Sequence, residues 1–257
     1  MTNNMYTPPS SSESDDTIAR STLQPPKNVS MGRGASWLAE GYRLFTKAPL
    51  AWLGITLIWG VLSGISVTIP LSGNVLQPLL MAGVATACWR LDTTGVLNIE
   101  DIFSGFKQQT GALVLIGAIS VAATILLIIA AILLGVTSLL SMAEMSPAAI
   151  ESGAANGEIM ALLILLLIGA TIMTPLIMAI WFAPLLIMLH NEPTLNAMKL
   201  SFKACLLNIL PFTVYTIAII PLMLLATIPL FLGYLILIPV IMGSIYTSYK
   251  DIFLAVD

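Results

Sequence analysis

The chain has 257 residues, of which 58 % are hydrophobic and only 9 % charged, and its mean hydropathy is +0.96. A soluble domain carries roughly a quarter of its residues as charges, so this chain lacks the polar surface to cover itself in water and reads as a polytopic membrane protein. Ten Lys and Arg, scattered singly against 13 acids, exclude the basic footprint of a nucleic-acid binder, and two cysteines are too few for a disulfide framework.

Residues 1–33 are rich in Ser, Thr, Pro, Asn and acids, as in Pro8-Pro9-Ser10-Ser11-Ser12-Glu13. Such a segment buries too little apolar area to offset its chain entropy and is expected to be a disordered cytoplasmic tail. It holds no apolar run long enough for a cleavable signal, so the first hydrophobic segment is expected to stay as an anchor. Residues 34–257 form the expected transmembrane domain.

From Ala35 to Lys47, Leu38, Tyr42 and Phe45 fall at i, i+4 and i+7, the spacing of an amphipathic helix, with Arg33, Arg43 and Lys47 beside it. That pattern predicts an interfacial helix with its bases toward headgroups. Leu50–Ile69 then runs without a charge, enough to cross about 30 Å of hydrocarbon. A turn at Ile69-Pro70-Leu71-Ser72-Gly73-Asn74 leads into a returning span, Val75–Leu91, anchored by Trp89 and Arg90. Asn74 and Gln77 are read as turn and cap groups.

The second unit repeats the plan. Asn98 is a candidate cap, and Ile99, Ile102, Phe103 and Phe106 make an apolar stripe. Gly111–Ser141 and Glu158–His190 are the next spans, the latter broken by Pro175 and Pro184, with a Glu-bearing loop between them. At more than 30 residues, or about 45 Å, they should tilt, kink or project. In the third unit Pro193 opens a helix whose apolar face is Leu195, Met198 and Phe202 and whose bases are Lys199 and Lys203. Asn208–Thr227 and Tyr234–Tyr249 are the fifth and sixth spans.

The three units open on Gly41-Tyr42-Arg43, Gly105-Phe106-Lys107 and Ser201-Phe202-Lys203, each a small residue, an aromatic and a base. Ile69-Pro70-Leu71 also matches Ile228-Pro229-Leu230, and Pro78-Leu79-Leu80-Met81 resembles Pro239-Val240-Ile241-Met242. The predicted fold is therefore all-α: six spans in three same-sense hairpins, each preceded by a cytoplasmic interfacial helix, about a pseudo-threefold axis along the membrane normal. All ten bases fall on one side of this layout, which predicts cytoplasmic termini.

The Gly41-Tyr42-Arg43-type openings, Asp101-Ile102-Phe103-Ser104-Gly105-Phe106 and Trp181-Phe182-Ala183-Pro184 carry a resemblance to six-span bacterial inner-membrane proteins. The chain is similar in layout to YciC-like proteins and to the membrane domain attached to some glycerophosphodiester phosphodiesterases. The resemblance covers most of residues 36–250 and implies a bacterial inner membrane. It implies no activity, since no phosphodiesterase domain is present.

The middles of the predicted spans carry no Asp, Glu, Lys, Arg or His, which argues against ion-coupled transport. Cys88, His190 and Cys205 lie near the cytoplasmic boundary of different spans but lack the close paired spacings of a zinc site. No catalytic residue, cofactor or metal ligand is expected. Gly60, Ser63, Gly64 and Gly117 read as close helix packing. Arg43, Lys107 and Lys203 are the expected contacts to anionic lipid headgroups. The leading expectation is a non-enzymatic scaffold or cell-envelope homeostasis factor, with an unidentified membrane-protein partner. The alternative is a carrier or channel for an uncharged or lipidic solute along Pro-broken spans.

Overall fold

The computed structural model describes residues 22–144, 146 and 155–255, which are helical apart from turns, extended connections and one isolated bridge. In chain order they form α1 (Arg33–Lys47), α2 (Pro49–Ser66), α3 (Ser72–Thr94), a 3₁₀ turn (Ile99–Phe103) and α4 (Ser104–Lys107). Then come α5 (Thr110–Ala143), α6 (Ala155–Trp181), α7 (Ala183–His190), α8 (Thr194–Leu207), α9 (Ile209–Thr227) and α10 (Tyr234–Phe253).

Five segments among the described residues are long and apolar enough to cross a membrane: α2, Thr110–Leu133 of α5, Leu163–His190 through α6 and α7, α9, and α10. The expected second span, α3, is not among them, because Gln77, Arg90 and Asp92 lower its hydropathy. Its surroundings supply the physical reason. Leu80, Ala82, Val84, Ala87, Cys88 and Leu91 are all buried, so α3 meets protein on most sides and needs little lipid-facing surface. α10 shares this interior position, with 61 % of its apolar window buried against 22 % or less for the other four. α5 and α6 carry the opposite pattern, with Leu126, Leu133, Leu166 and Leu167 exposed.

Several local expectations are revised. The first turn is made by Leu71 in the left-handed region (φ 66°), and α3 starts at Ser72. Asn74 and Gln77 therefore stand inside α3, where the Asn74 amide reaches Thr124 Oγ1 of α5 at 3.4 Å and the Gln77 amide donates to Ser63 Oγ of α2 at 3.1 Å. They bridge helices rather than cap a turn. Asn98 precedes the 3₁₀ turn with extended backbone but makes no side-chain cap, and the second unit's stripe is only a 3₁₀ turn running into the four residues of α4. Pro193 sits one residue before α8 rather than within it. A methyl group on Gly60 or Gly64 would meet no atom within 4 Å, whereas one on Gly117 would collide with Val75. Only the last of these three glycines is a packing residue. Most of the Glu-bearing loop, with Glu151, lies outside the described residues.

The end of the expected tail is held in place. Residues 22–30 run without helix past the end of α10 to a turn at 31–32, with Gln24 N–H donating to Phe253 O at 2.8 Å and Lys27 N–H to Ile252 O at 3.1 Å. Asn208, fully buried at the α8–α9 junction, accepts from Val29 N–H at 2.9 Å and donates to Lys27 O at 3.0 Å. Backbone groups that would otherwise need water are thus paired, and residues 22–32 belong structurally with the helical domain. Residues 1–21 lie outside the described residues.

The core at this end is aromatic. Phe182, at the α6–α7 break, packs within 5.6 Å of Phe253 and 6.0 Å of Phe212 between ring centroids, and Trp37 packs within 5.3 Å of Phe212. Off-centre and edge-on arrangements such as these are the favoured ones for aromatic rings.

Candidate functional site

The three small-aromatic-base openings all turn their small residue inward. Gly41 of α1 meets α10 so closely that a methyl group there would lie 2.3 Å from Val240 O and 2.7 Å from Ser244 N. Gly105 of α4 meets α3, where a methyl group would lie 2.2 Å from Leu79 O. Val240 and Leu79 each follow a proline, Pro239 and Pro78, which stand in register in the repeat.

Ser201 of α8 does the same job with a hydroxyl. It is fully buried, accepts from Phe182 N–H at 2.9 Å and donates to Met178 O at 2.6 Å. In an unbroken helix Phe182 N–H would donate to Met178 O; here Ser201 is inserted between them. A side chain entering the i to i−4 ladder is an established cause of a helix break, and Pro184, near the start of α7, removes a further donor.

The opening of unit two therefore packs on the second long helix of unit one, and that of unit three on that of unit two. The opening of unit one packs on the second long helix of unit three. Each unit docks on the one before it and the ring closes. Since 200° separates residues two apart on an α-helix, a small residue facing inward sends its base outward. Arg43, Lys107 and Lys203 are all exposed, Tyr42 and Phe106 beside them are exposed, and Phe202 is half-buried.

The remaining bases are mostly committed to internal partners. Arg33 pairs with Asp251, which also accepts from Trp37 Nε1 at 2.8 Å, and with Glu40 at 2.9 Å. Lys250 pairs with Asp92, with Lys47 at 4.0 Å and the Tyr246 hydroxyl at 3.3 Å from the same carboxylate. Arg90 Nε lies 2.9 Å from Asp101 Oδ2, off the angle of a good hydrogen bond, so this contact is chiefly ionic. Burial pushes the Asp101 carboxyl above its usual range, with the Arg90 charge opposing. Lys27 Nζ donates to Leu254 O at 3.0 Å. Among the described residues, the side chains of Arg43, Lys107, Lys199 and Lys203 are the bases with neither an ion pair nor a hydrogen bond. Three of these four are the bases of the repeated openings.

The cysteine and histidine residues do not converge. Cys88 is buried in α3, Cys205 Sγ lies 3.5 Å from Met178 O, and His190 contacts the Tyr249 hydroxyl. Among the described residues no three His, Cys, Asp or Glu side chains are grouped to hold a metal ion. Sequence reasoning did not single out Asp92, Asn208 or the inserted hydroxyl of Ser201. Asp92 carried a signal, an acid two residues from Arg90 facing the Lys250 end of α10. The other two gave none.

One further cavity stands out, an apolar cleft of about 620 Å³ where α1 meets the α9–α10 pair.

These features define an integral, multi-pass α-helical membrane protein, with exposed bases on segments packed against its long helices. Over 201 residues the chain is 28 % identical to a probable inner membrane protein of Burkholderia thailandensis, a match covering 73 % of this chain and 72 % of that one. No family model and no solved structure matches the chain. The similarity and the five apolar helices make it a multi-pass protein of a bacterial inner membrane.

Proposed function

We propose that the protein is a non-enzymatic component of the inner membrane that crosses it six times, as three hairpins with both termini cytoplasmic, and gathers anionic lipid headgroups at its cytoplasmic face. On this reading α3 is the sixth crossing, and the shared layout with YciC-like proteins reflects the same three-hairpin plan. One observation carries the lipid reading. Arg43, Lys107 and Lys203 occupy matching places in the three openings and are unpaired, while most other described bases are tied to acids or to the backbone. A base next to an aromatic on an exposed helix face is the usual anchor at a membrane interface. A collar of such anchors suits a scaffold that holds its position and lipid surroundings.

Attraction of about 1 kcal/mol per base near an anionic surface makes the triple variant R43Q/K107Q/K203Q the direct test. Quantifying the lipid that co-purifies with the protein should show phosphatidylglycerol depleted relative to phosphatidylethanolamine. Three additive contributions correspond to roughly a hundredfold in affinity at low ionic strength, shrinking as salt rises. An unchanged lipid ratio in a normally folded triple variant would reduce the three bases to topology signals.

A further inference from the structure

The close crossing at Gly41 has a second effect. It brings α1 hard against α10, so that Ala39 and Tyr42 line a cleft shared with Leu222 and Leu225 of α9, Pro229 of the following turn and Ile236 of α10. At about 620 Å³ it is well inside the 300–1,000 Å³ common for ligand pockets. The Tyr42 hydroxyl is the only side-chain polar group among its lining residues. An ion, a sugar or a peptide would find its own polar groups unsatisfied there. α9 and α10 are both apolar enough to cross the membrane, and Leu225 and Ile236 are exposed, so the molecules next to the cleft are lipids rather than water.

Charge narrows the occupant further. Arg43 directly follows Tyr42, is exposed and has no acidic partner among the described residues. An apolar slot whose lining Tyr42 is followed in the chain by an exposed, unpaired arginine complements a molecule with a hydrocarbon chain and a phosphate, and guanidinium is well matched to phosphate. We propose that this cleft binds one acyl chain of an anionic phospholipid, with Arg43 meeting its phosphate. The site rests on the membrane-lipid reading above but is a fixed seat for one molecule, distinct from a diffuse attraction at three bases.

The test is native mass spectrometry of the full chain in detergent, titrated with palmitoyl-oleoyl phosphatidylglycerol and, separately, with the matching phosphatidylcholine. Ala39→Trp and Ile236→Trp each fill the cleft from an exposed position on a different helix, so one can serve if the other misfolds. Both should lose one retained lipid relative to wild type. Arg43→Gln should keep that lipid but lose at least tenfold preference for phosphatidylglycerol there. K107Q/K203Q should leave the site unaffected. Fillers that fold and retain the wild-type lipid count overturn the cleft site, whatever the base variants do. A dimer that A39W abolishes, with lipid count unchanged, also overturns it, since a second copy would then be the occupant. Loss of anionic lipid in K107Q/K203Q alone would leave the collar standing without the cleft.

Discussion

Gly41→Leu is expected to destabilise the protein by about 3 kcal/mol, the upper end of the range for overpacking a fitted interface. The first added carbon would meet Val240 O and Ser244 N, both backbone atoms, so neither can swing aside. α1 must then lift from α10, which also disturbs Trp37, whose indole donates to Asp251 and whose carbonyl accepts from Thr247 Oγ1 at 3.3 Å. Thermal unfolding in detergent, followed by a thiol-reactive dye, suits this chain because both cysteines are free and buried. Gly60→Leu on α2 is the control, with nothing within 4 Å of its first added carbon, and should change stability by under about 0.5 kcal/mol. Equal melting of G41L and G60L would mean that the close crossing does not bind α1 to the helical core.

Arg90→Leu should be the more damaging half of its ion pair. Asp101 is only 6 % exposed, and without Arg90 its charge is left desolvated and unopposed, a loss of about 1–3 kcal/mol. Asp101→Asn leaves a base whose Nε is buried but whose side chain is 40 % exposed as a whole, so its charge is still partly solvated and the change should cost clearly less. The pH dependence follows in sign. A carboxyl whose folded pKa is raised favours the protonated form on folding, so its contribution is full at low pH and lost as pH rises through the folded value. The deficit of R90L should therefore be greatest at neutral and alkaline pH and shrink as the medium is acidified. Melting curves of the two variants across pH settle the matter. A deficit independent of pH would mean that Arg90 acts through packing alone.

Hydropathy alone made five of the long helices legible. α2, α5, α6, α9 and α10 announce themselves because long runs of Leu and Ile face lipid or fill the bundle. α3 does not, because a helix surrounded by protein can carry Gln77, Arg90 and Asp92 where partners exist for them. The repeated openings were visible as small-aromatic-base triplets, and the inward turn of Gly41, Gly105 and Ser201 gives that pattern its physical reason. What each docks on could not be read, since contact between units depends on how the chain closes and not on local spacing. The hydroxyl of Ser201 inserted into the α6 ladder is such a case, as is Asn208, which holds residues 22–32 from a junction more than 170 positions away in sequence. Asp92 is intermediate, its sign and position being legible and its pairing with Lys250 a product of the packing.

A crossing by α3 places Arg43 and Lys107 on the same face of the membrane. Single cysteines at these two positions, in a Cys88→Ala/Cys205→Ala background, can be probed with a membrane-impermeant maleimide in spheroplasts and in inside-out vesicles. Both should react only in the inside-out vesicles. Labelling of position 107 from the outer face, with position 43 still cytoplasmic, would leave α3 short of a crossing and contradict both the six-span layout and the three-base collar.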